Sequence, residues 1–563
     1  FTGYMGAGNY EIFRDSLAAK GMLHRNKDFA IASGRFQLAC YKEEIEANLR
    51  TPGMDGFQLL DLHDYLGQGT ALVGLLDPFW EDKGYVTAKE FRKFNSETVP
   101  LARLTKRVFP ADERFEIPVE AAHFGKDPIE NVTSSWKIVD DAGNVALDGK
   151  FPSRPLPIGK NLDLGKVTAD LSKLHSPARY KLVVTINSNA TNDWEFFVYP
   201  AKDSAPVPNN VLVTRSWGAA REHLEKGGRV LYSPRRPDLD WTSPPLDTVP
   251  VFWNRLMNPA WARMLGMWID AKHPALRSFP TDGYNGWQWT EIVRGARAVN
   301  LDRLPKDLQP IVQPIDDWNR NYKLGLVFEA KVGRGKLMVV SADLESDLDN
   351  RIAARQLRHS LLAYMASAKF DPKTTLLPEQ IESIFFDTRI MKRLGATATA
   401  AGTDAANAID GDPNTFWIAA DQRAVARQVQ ELIISFPNSV PFSGFVIMPR
   451  QNHREHEGDI REYSIEISDD GQNWTEAKRG TLPSTYEPIP IDLGRTVSAK
   501  FIRLRSLSGY GADKTTSLAD IAIIYRGPKL QDDDEEVEYQ RSKAASPDID
   551  EGVNPDDKKP KKP

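Results

Sequence analysis

From Leu38 onward apolar side chains return every three or four positions, with Leu38, Tyr41, Ile45 and Leu49 on one face of a helix. The Thr51-Pro52-Gly53 sequence predicts where that helix stops. Residues 56–62, GFQLLDL, replace the period with a nearly continuous apolar run, the pattern of a strand covered on both faces as in a parallel sheet. Thr87-Ala88-Lys89-Glu90 offers an N-cap and a capping-box start for a further helix. Residues 1–100 therefore read helix, strand, helix.

The period changes to two between 101 and 200. FEIPVEAAHF, SSWKIVD, KLVVTI and WEFFVYP alternate and are separated by turn signals such as Asp141-Ala142-Gly143-Asn144, which predicts a β-sandwich of immunoglobulin-like size. From 205 to 368 strand-like and helix-like runs alternate: NVLVT, AAREHLEKGG, RVLYSP, then KLMVVSADL and ARQLRHSLLAYM. That order predicts an open α/β sheet, with a Trp-rich insertion from Trp253 to Trp289. Residues 369–392 read as a connector. Short strands return over 393–527 (QELIISF, FSGFVIM, YSIEIS, AKFIRLRS, ADIAIIY) as a second β-sandwich, and 528–563 form an acidic-then-basic tail expected to be disordered.

The totals narrow the function classes. A chain of 563 residues is too long for one core. Its net charge of −5 gives no general attraction to nucleic acid or anionic membrane. Cys40 is the single cysteine, so neither an intrachain disulfide nor a cysteine metal cluster can form, and it reads as a small core residue rather than a nucleophile. No apolar run is long enough to span a membrane. Because the sequence opens on Phe1 rather than Met, we expect a processed chain or a piece of a longer one. His24 is expected at the surface of a helix.

AIDGDPNTFW (408–417), ISDDGQNW (467–474) and FIRLR (501–505) resemble the discoidin, or factor V/VIII type C, fold, whose sugar-binding bacterial members form a carbohydrate-binding-module family. Asp410 and Asp412, with Thr415 and nearby carbonyls, collect hard oxygen donors in one short loop, as structural calcium requires. The resemblance implies that the Asn407 and Ala519 carbonyls and the Asp520 carboxylate complete the cage. The alternative is an Asx-rich turn holding no metal. Ligand loops of this fold lie at one end of the sandwich. Here RQNHREHE (450–457) and Tyr510 occupy such positions, so Arg450, Asn452 and His453 would donate to sugar hydroxyls while Tyr510 stacks. Solvated loop residues are the competing account.

GFQLLDLHDYLGQGTALVGLLDPFW (56–80), preceded by ASGRFQLACYKEEIEANLRTPG, resembles the end of the catalytic (β/α)8 barrel of glycoside hydrolase family 2 and its β-galactosidase-like relatives. On that resemblance GFQLLDL is the eighth barrel strand, and His63, Asp64 and Gln68 line the substrate pocket with Asp61 and Trp80 nearby, also beside Tyr65 and Asp77. Alternation sets Asp61 and His63 on one face and Asp64 on the other. Retaining glycosidases need two carboxyl groups about 5–5.5 Å apart. The family's catalytic glutamates precede the eighth strand, so none is expected in this chain and both should lie upstream of Phe1. The bland account is a buried Asp61, His63 and Asp64 cluster bracing the fold. Residues 205–368 resemble class I glutamine amidotransferase-like domains. With no Cys in that region for the nucleophile, the domain reads as non-catalytic.

These readings combine into a multidomain α/β plus all-β chain: the C-terminal end of a (β/α)8 barrel, an immunoglobulin-like sandwich, an amidotransferase-like α/β domain and a discoidin sandwich. The expected function is the C-terminal part of a secreted or periplasmic retaining exo-acting glycoside hydrolase for β-linked glycans. A glycan is the expected partner; the oligomeric state is left open, with the α/β domain a reasonable place for contacts between copies in a homo-oligomer. The competing expectation is a non-catalytic glycan-binding or adhesion protein.

Overall fold

The computed structural model describes residues 8–65, 73–202, 206–235, 238–248, 264–317, 320–402, 404–419, 430–451, 456–511, 516–528 and 530. Gln68, Asn452, His453, Trp253 and most of the expected tail lie outside them. Helix α1 spans Gly8–Ala19 and α2 spans Asn26–Arg50. Leu38 and Ile45 are buried on the inner face of α2, against Tyr85, Val86 and Phe94. The helix stops before Thr51, whose extended ψ breaks the turn. Thr87 caps the short helix α3, Ala88–Phe91, by accepting from the Glu90 amide.

The expected barrel strand does not form. Residues 56–62 belong to no strand, Leu60 is 74% exposed, and Phe57 and Leu62 are also exposed. A two-sided apolar run needs neighbouring strands on both edges to satisfy its backbone. Among the described residues its only sheet-like link is an isolated bridge from His63 to Leu76. Asp61 adopts a left-handed φ of 62°, which also breaks the alternation on which the facing of Asp61, His63 and Asp64 was argued.

Two sheets follow. Strands β1 (Thr98–Ala102), β3 (Arg114–His123) and β6 (Gly159–Asp170) form one, in the order β1-β3-β6. The other is ordered β2-β8-β7-β4-β5, from β2 (Val108–Pro110), β4 (Ser134–Asp140), β5 (Val145–Lys150), β7 (Ala178–Ile186) and β8 (Ala190–Tyr199). Phe115, Ile117 and Val119 alternate inward from β3 and meet Ile138, Leu182, Val184 and Phe196 in one core. Glu46 of α2 ties the N-terminal helices to this sandwich. Its buried carboxylate accepts from Trp194 Nε1 and Asn192 Nδ2 at 2.8 Å each and pairs with Lys42 and Arg50.

The middle unit is a seven-stranded mixed sheet in the order β9-β10-β14-β13-β12-β11, extended by Thr375–Leu376 beside β13. Its strands are β9 (Val211–Thr214), β10 (Arg229–Tyr232), β11 (Met267–Ile269), β12 (Val312–Pro314), β13 (Val327–Val332) and β14 (Gly335–Val340). The first three in sheet order run parallel, with α4 (Trp217–Glu225) crossing between β9 and β10. Helices α5 (Trp289–Val293) and α6 (Ile352–Ala366) pack on the other layer. Residues 369–392 are not a connector. Phe370, Leu376, Ile381 and Ile384 are buried in the cores of this unit, and their apolar spacing was too short to reveal that.

The C-terminal unit is built on two long strands, β16 (Gln430–Met448) and β19 (Ile489–Gly509), bent where their register shifts around Ser435–Val440 and Phe442–Gly444. With β15 (Thr397–Ala400), β17 (Ile460–Ser468), β18 (Thr475–Thr481) and β20 (Asp520–Tyr525), they fold over a core of Trp417, Phe436, Phe442, Phe445, Ile502 and Ile521. Tyr322 of the middle unit donates to Glu487 at 2.8 Å and joins the two units.

Candidate functional site

The residues expected to rim a barrel pocket have structural partners instead. Asp64 is buried, pairs with Lys83 Nζ at 2.7 Å and accepts from the Gly74 amide at 2.9 Å. His63 leans on Trp80, with ring centroids 4.5 Å apart, and its Nδ1 lies 2.8 Å from the Asp64 carbonyl. Trp80 is 61% exposed and Asp61 is partly exposed. The Asp64–Lys83 pair therefore ties residue 64 to the segment around residue 83, while Trp80 stands exposed. The Cys40 thiol is pushed up to about 12 by burial, then by Glu44 and Glu43, which leaves it inert as a nucleophile near neutrality.

Residues 407–415 form a tight, oxygen-rich turn that the end of β20 closes. Asp410 Oδ1 accepts from the Asp412 amide at 2.8 Å, and the Thr415 hydroxyl lies within 3.0 Å of both Asp410 Oδ2 and the Asp412 carbonyl. The Asn407 carbonyl stands 3.5 Å from the same hydroxyl. Pairing of Met448 with Asp520 across β16 and β20 delivers the Asp520 carboxylate beneath the turn, where Oδ2 accepts from the Gly411 amide at 2.7 Å. Gly411 has a φ of 83°, and a Cβ there would meet the Thr388 carbonyl at 2.6 Å, so only glycine fits. Asp520 Oδ1 is buried without a hydrogen-bond partner among the described residues. Burial, and then the charges of Asp410 and Asp412, hold the Asp520 carboxyl well above the usual range, and Asp410 is raised chiefly by burial.

That set fits a hard cation: an orphaned buried carboxylate oxygen, mutually repelling carboxylates and converging carbonyls all gain from a positive charge. Among the described residues no three His, Cys, Asp or Glu side chains stand as a ready ligand cluster. Side chains alone would not close a cage, and backbone carbonyls must supply the rest.

Immediately after Thr415, Phe416 carries the Arg450 guanidinium over its ring, with Cζ 4.1 Å from the centroid. Burial lowers the basicity of Arg450, and Asp459 opposes that shift. His456 pairs with Asp459 at 3.0 Å and packs on Tyr486, with centroids 4.0 Å apart. The Tyr510 amide donates to the Asp459 carbonyl, and the Tyr510 hydroxyl donates to the Leu482 carbonyl at 2.7 Å. Arg450 and Tyr510, distant in sequence, thus belong to one loop cluster. Phe416, His456 and Tyr486 join it without having been singled out. The HREHE run was the available signal for His456; Phe416 and Tyr486 gave none.

Residues 394–521 match the F5/8 type C domain family. They are an F5/8 type C domain. Residues 113–200 and 212–386 match two families described as domains of unknown function (DUF8488 and DUF8487). Among solved structures, a module of a family 31 glycoside hydrolase from Clostridium perfringens is 29% identical over 23% of this chain and 88% of its own, with a TM-score of 0.21. The family 32 carbohydrate-binding module of C. perfringens NanJ, in complex with galactose, is 23% identical over 24% and 96%, at 0.21. The C-terminal domain of a chitobiase from Bacteroides fragilis is 19% identical over 24% and 93%, at 0.21.

Set in the F5/8 type C domain, both constellations lie around one end of the sandwich, with the oxygen-rich turn placing Phe416 and Phe416 seating Arg450. No helix among the described residues is long and apolar enough to cross a membrane.

Proposed function

We propose that the F5/8 type C domain binds a glycan through the loops around Arg450. The observation that carries this reading is the seating of Arg450 on Phe416, in the same loop cluster as His456, Tyr486 and Tyr510. A pyranose offers hydroxyls that need fixed donors and a C–H face that packs on aromatic rings, and this cluster supplies both. The Tyr510 hydroxyl is committed to the Leu482 carbonyl, so its ring and the Tyr486 ring are the surfaces for packing. Calcium would be held by Asp410, Asp412, Asp520, Thr415 and the Asn407 and Ala519 carbonyls. Its role would be to fix the turn that carries Phe416. A glycan array probed with the whole chain and with Arg450→Ala tests the reading. A discrete set of glycans retained by the parent and lost by the variant is expected, and a blank array for the parent would sink it.

A second reading is favoured by the exposed apolar side chains Phe57, Leu60, Leu62, Phe79 and Trp80 within one short segment. Such a surface suits a segment that completes its packing against further strands. The protein would then be a secreted or periplasmic retaining glycoside hydrolase of family 2 type, acting on β-linked glycans with carboxylates that these residues do not include. Sequencing the gene upstream of the Phe1 codon decides it. An in-frame barrel-like stretch with a glutamate at the end of an apolar run is expected; an in-frame stop codon directly before Phe1 removes this reading.

A further inference from the structure

The carboxyl ends of β9, β10 and β14 open into a cleft of about 1160 Å³, walled on its far side by residues 104–108 of the sandwich and by Glu43 of α2. In open α/β sheets, ligands are taken where parallel strands end, and clefts between domains are favoured places for small molecules. Register places Thr214 beside Tyr232 and Tyr232 beside Val339. Arg215, Ser233 and Ser341, the residues that follow these strands, therefore form a row across three neighbouring strand ends on the cleft floor.

Two members of that row lack partners. Ser233 is 4% exposed and Ser341 7%, and neither hydroxyl has a hydrogen-bond partner among the described residues. A buried hydroxyl without a partner is destabilising, and a hydroxylated molecule in the cleft would relieve it once a side-chain rotation turns the hydroxyl, closed to water here, toward the cleft. Arg215 is fixed beside them by Asp343 at 2.7 Å and Glu345 at 3.1 Å. The half-buried Trp287 offers an aromatic wall on the same cleft.

Charge then selects the class. Six basic and four acidic side chains line the cleft, and the exposed Arg294 has no side-chain partner among the described residues. The N-terminus of α6, which also faces the cleft, is already served by Glu291, whose Oε1 accepts from the Ala354 amide at 3.0 Å. Lys106, Arg107, Arg215, Arg235 and Arg351 are held in ion pairs, so Arg294 is the cation the cleft offers to a ligand. The geometry points to a binding site for a sugar acid. Its hydroxyls are met by Ser233 and Ser341, its ring face by Trp287 and its carboxylate by Arg294. This site lies in the middle unit and does not depend on the glycan reading of the F5/8 type C domain.

Titration calorimetry of the whole 563-residue chain tests the proposal, using glucuronate and galacturonate with glucose and galactose as neutral controls. At least one uronate binds, and its neutral counterpart binds at least tenfold more weakly. Ser233→Ala with Ser341→Ala weakens that uronate at least tenfold while the melting temperature holds or rises, because unpartnered hydroxyls are removed. Arg294→Ala, at an exposed position, abolishes the preference for acid over neutral sugar. The proposal is overturned by the absence of uronate binding or by equal affinity for acid and neutral sugar. Unchanged affinity in the double serine variant, or a melting temperature that falls in it, overturns it equally.

Discussion

The Gly411 amide donates to one oxygen of Asp520 at 2.7 Å, and the other oxygen of the same carboxylate is buried with no hydrogen-bond partner among the described residues. Without a cation, Asp520 therefore destabilises the fold when ionised. Its native affinity for a proton is raised above that of the unfolded chain. As pH rises from the unfolded carboxylate value, about 3.9, toward the native value, the unfolded chain releases its proton first and stability falls. Millimolar calcium should raise the melting temperature near neutral pH and flatten this decline. Asp520→Asn should remove the calcium response and melt no lower than the calcium-free parent. A calcium shift that survives in Asp520→Asn would exclude this turn as the site.

Some of this was legible in the sequence and some was not. The stripe of Leu38, Tyr41, Ile45 and Leu49 and the Thr87 cap are local patterns, and local patterns survive folding. So is the alternation of Phe115, Ile117 and Val119. GFQLLDL misled because a strand is completed by its neighbours, and its own apolarity cannot supply them. The convergence of Asp410 with Asp520 depends on the pairing of β16 with β20, strands far apart in the chain. It came from family resemblance, since no spacing rule predicts it. Phe416 under Arg450 is a contact between loops on different strands, and nothing local announces it.

Glu46 is the buried hinge between α2 and the sandwich. Burial alone would raise its carboxyl, but Lys42 and the hydrogen bonds from Lys42, Trp194 and Asn192 outweigh that and leave it lowered. Its stabilising contribution is present above the unfolded glutamate value, about 4.3, and is lost as pH falls through the native value. Glu46→Ala strands Lys42 and Arg50 and leaves the Trp194 indole N–H unmet, which should cost roughly 3–5 kcal/mol in urea unfolding near pH 7. A loss under about 1 kcal/mol, near the worth of an exposed pair, would show that water replaces the network.

Glu329 behaves in the opposite sense. Burial raises its carboxyl to about 7, even though Tyr364 donates to it at 2.9 Å, and His273 Nε2 lies 4.0 Å away. Between about 4.3 in the unfolded chain and about 7 in the native one, rising pH removes stability, and above the native value the loss levels off. Glu329→Gln keeps the shape and an acceptor for Tyr364 but no titrating proton. The variant's melting temperature should decline less than the parent's between pH 5 and pH 8, by an amount equivalent to roughly 1–3 kcal/mol. Parallel profiles for the two proteins would show that Glu329 does not titrate in this range.

The Arg450–Phe416 pair connects the oxygen-rich turn to the glycan-binding loops, and a double-mutant cycle can measure that connection. If Phe416 seats Arg450 for a ligand, Arg450→Ala should weaken glycan binding at least tenfold. Phe416→Leu, which keeps apolar bulk but removes the ring face, should cost several-fold. The two losses should then overlap instead of adding, with a coupling of roughly 0.5–2 kcal/mol. Calcium removal should mimic Phe416→Leu in the parent and add little to the variant, because both act by unseating the same guanidinium. Additive losses would mean that Arg450 reaches the sugar independently of Phe416, and would confine the turn to a role in stability.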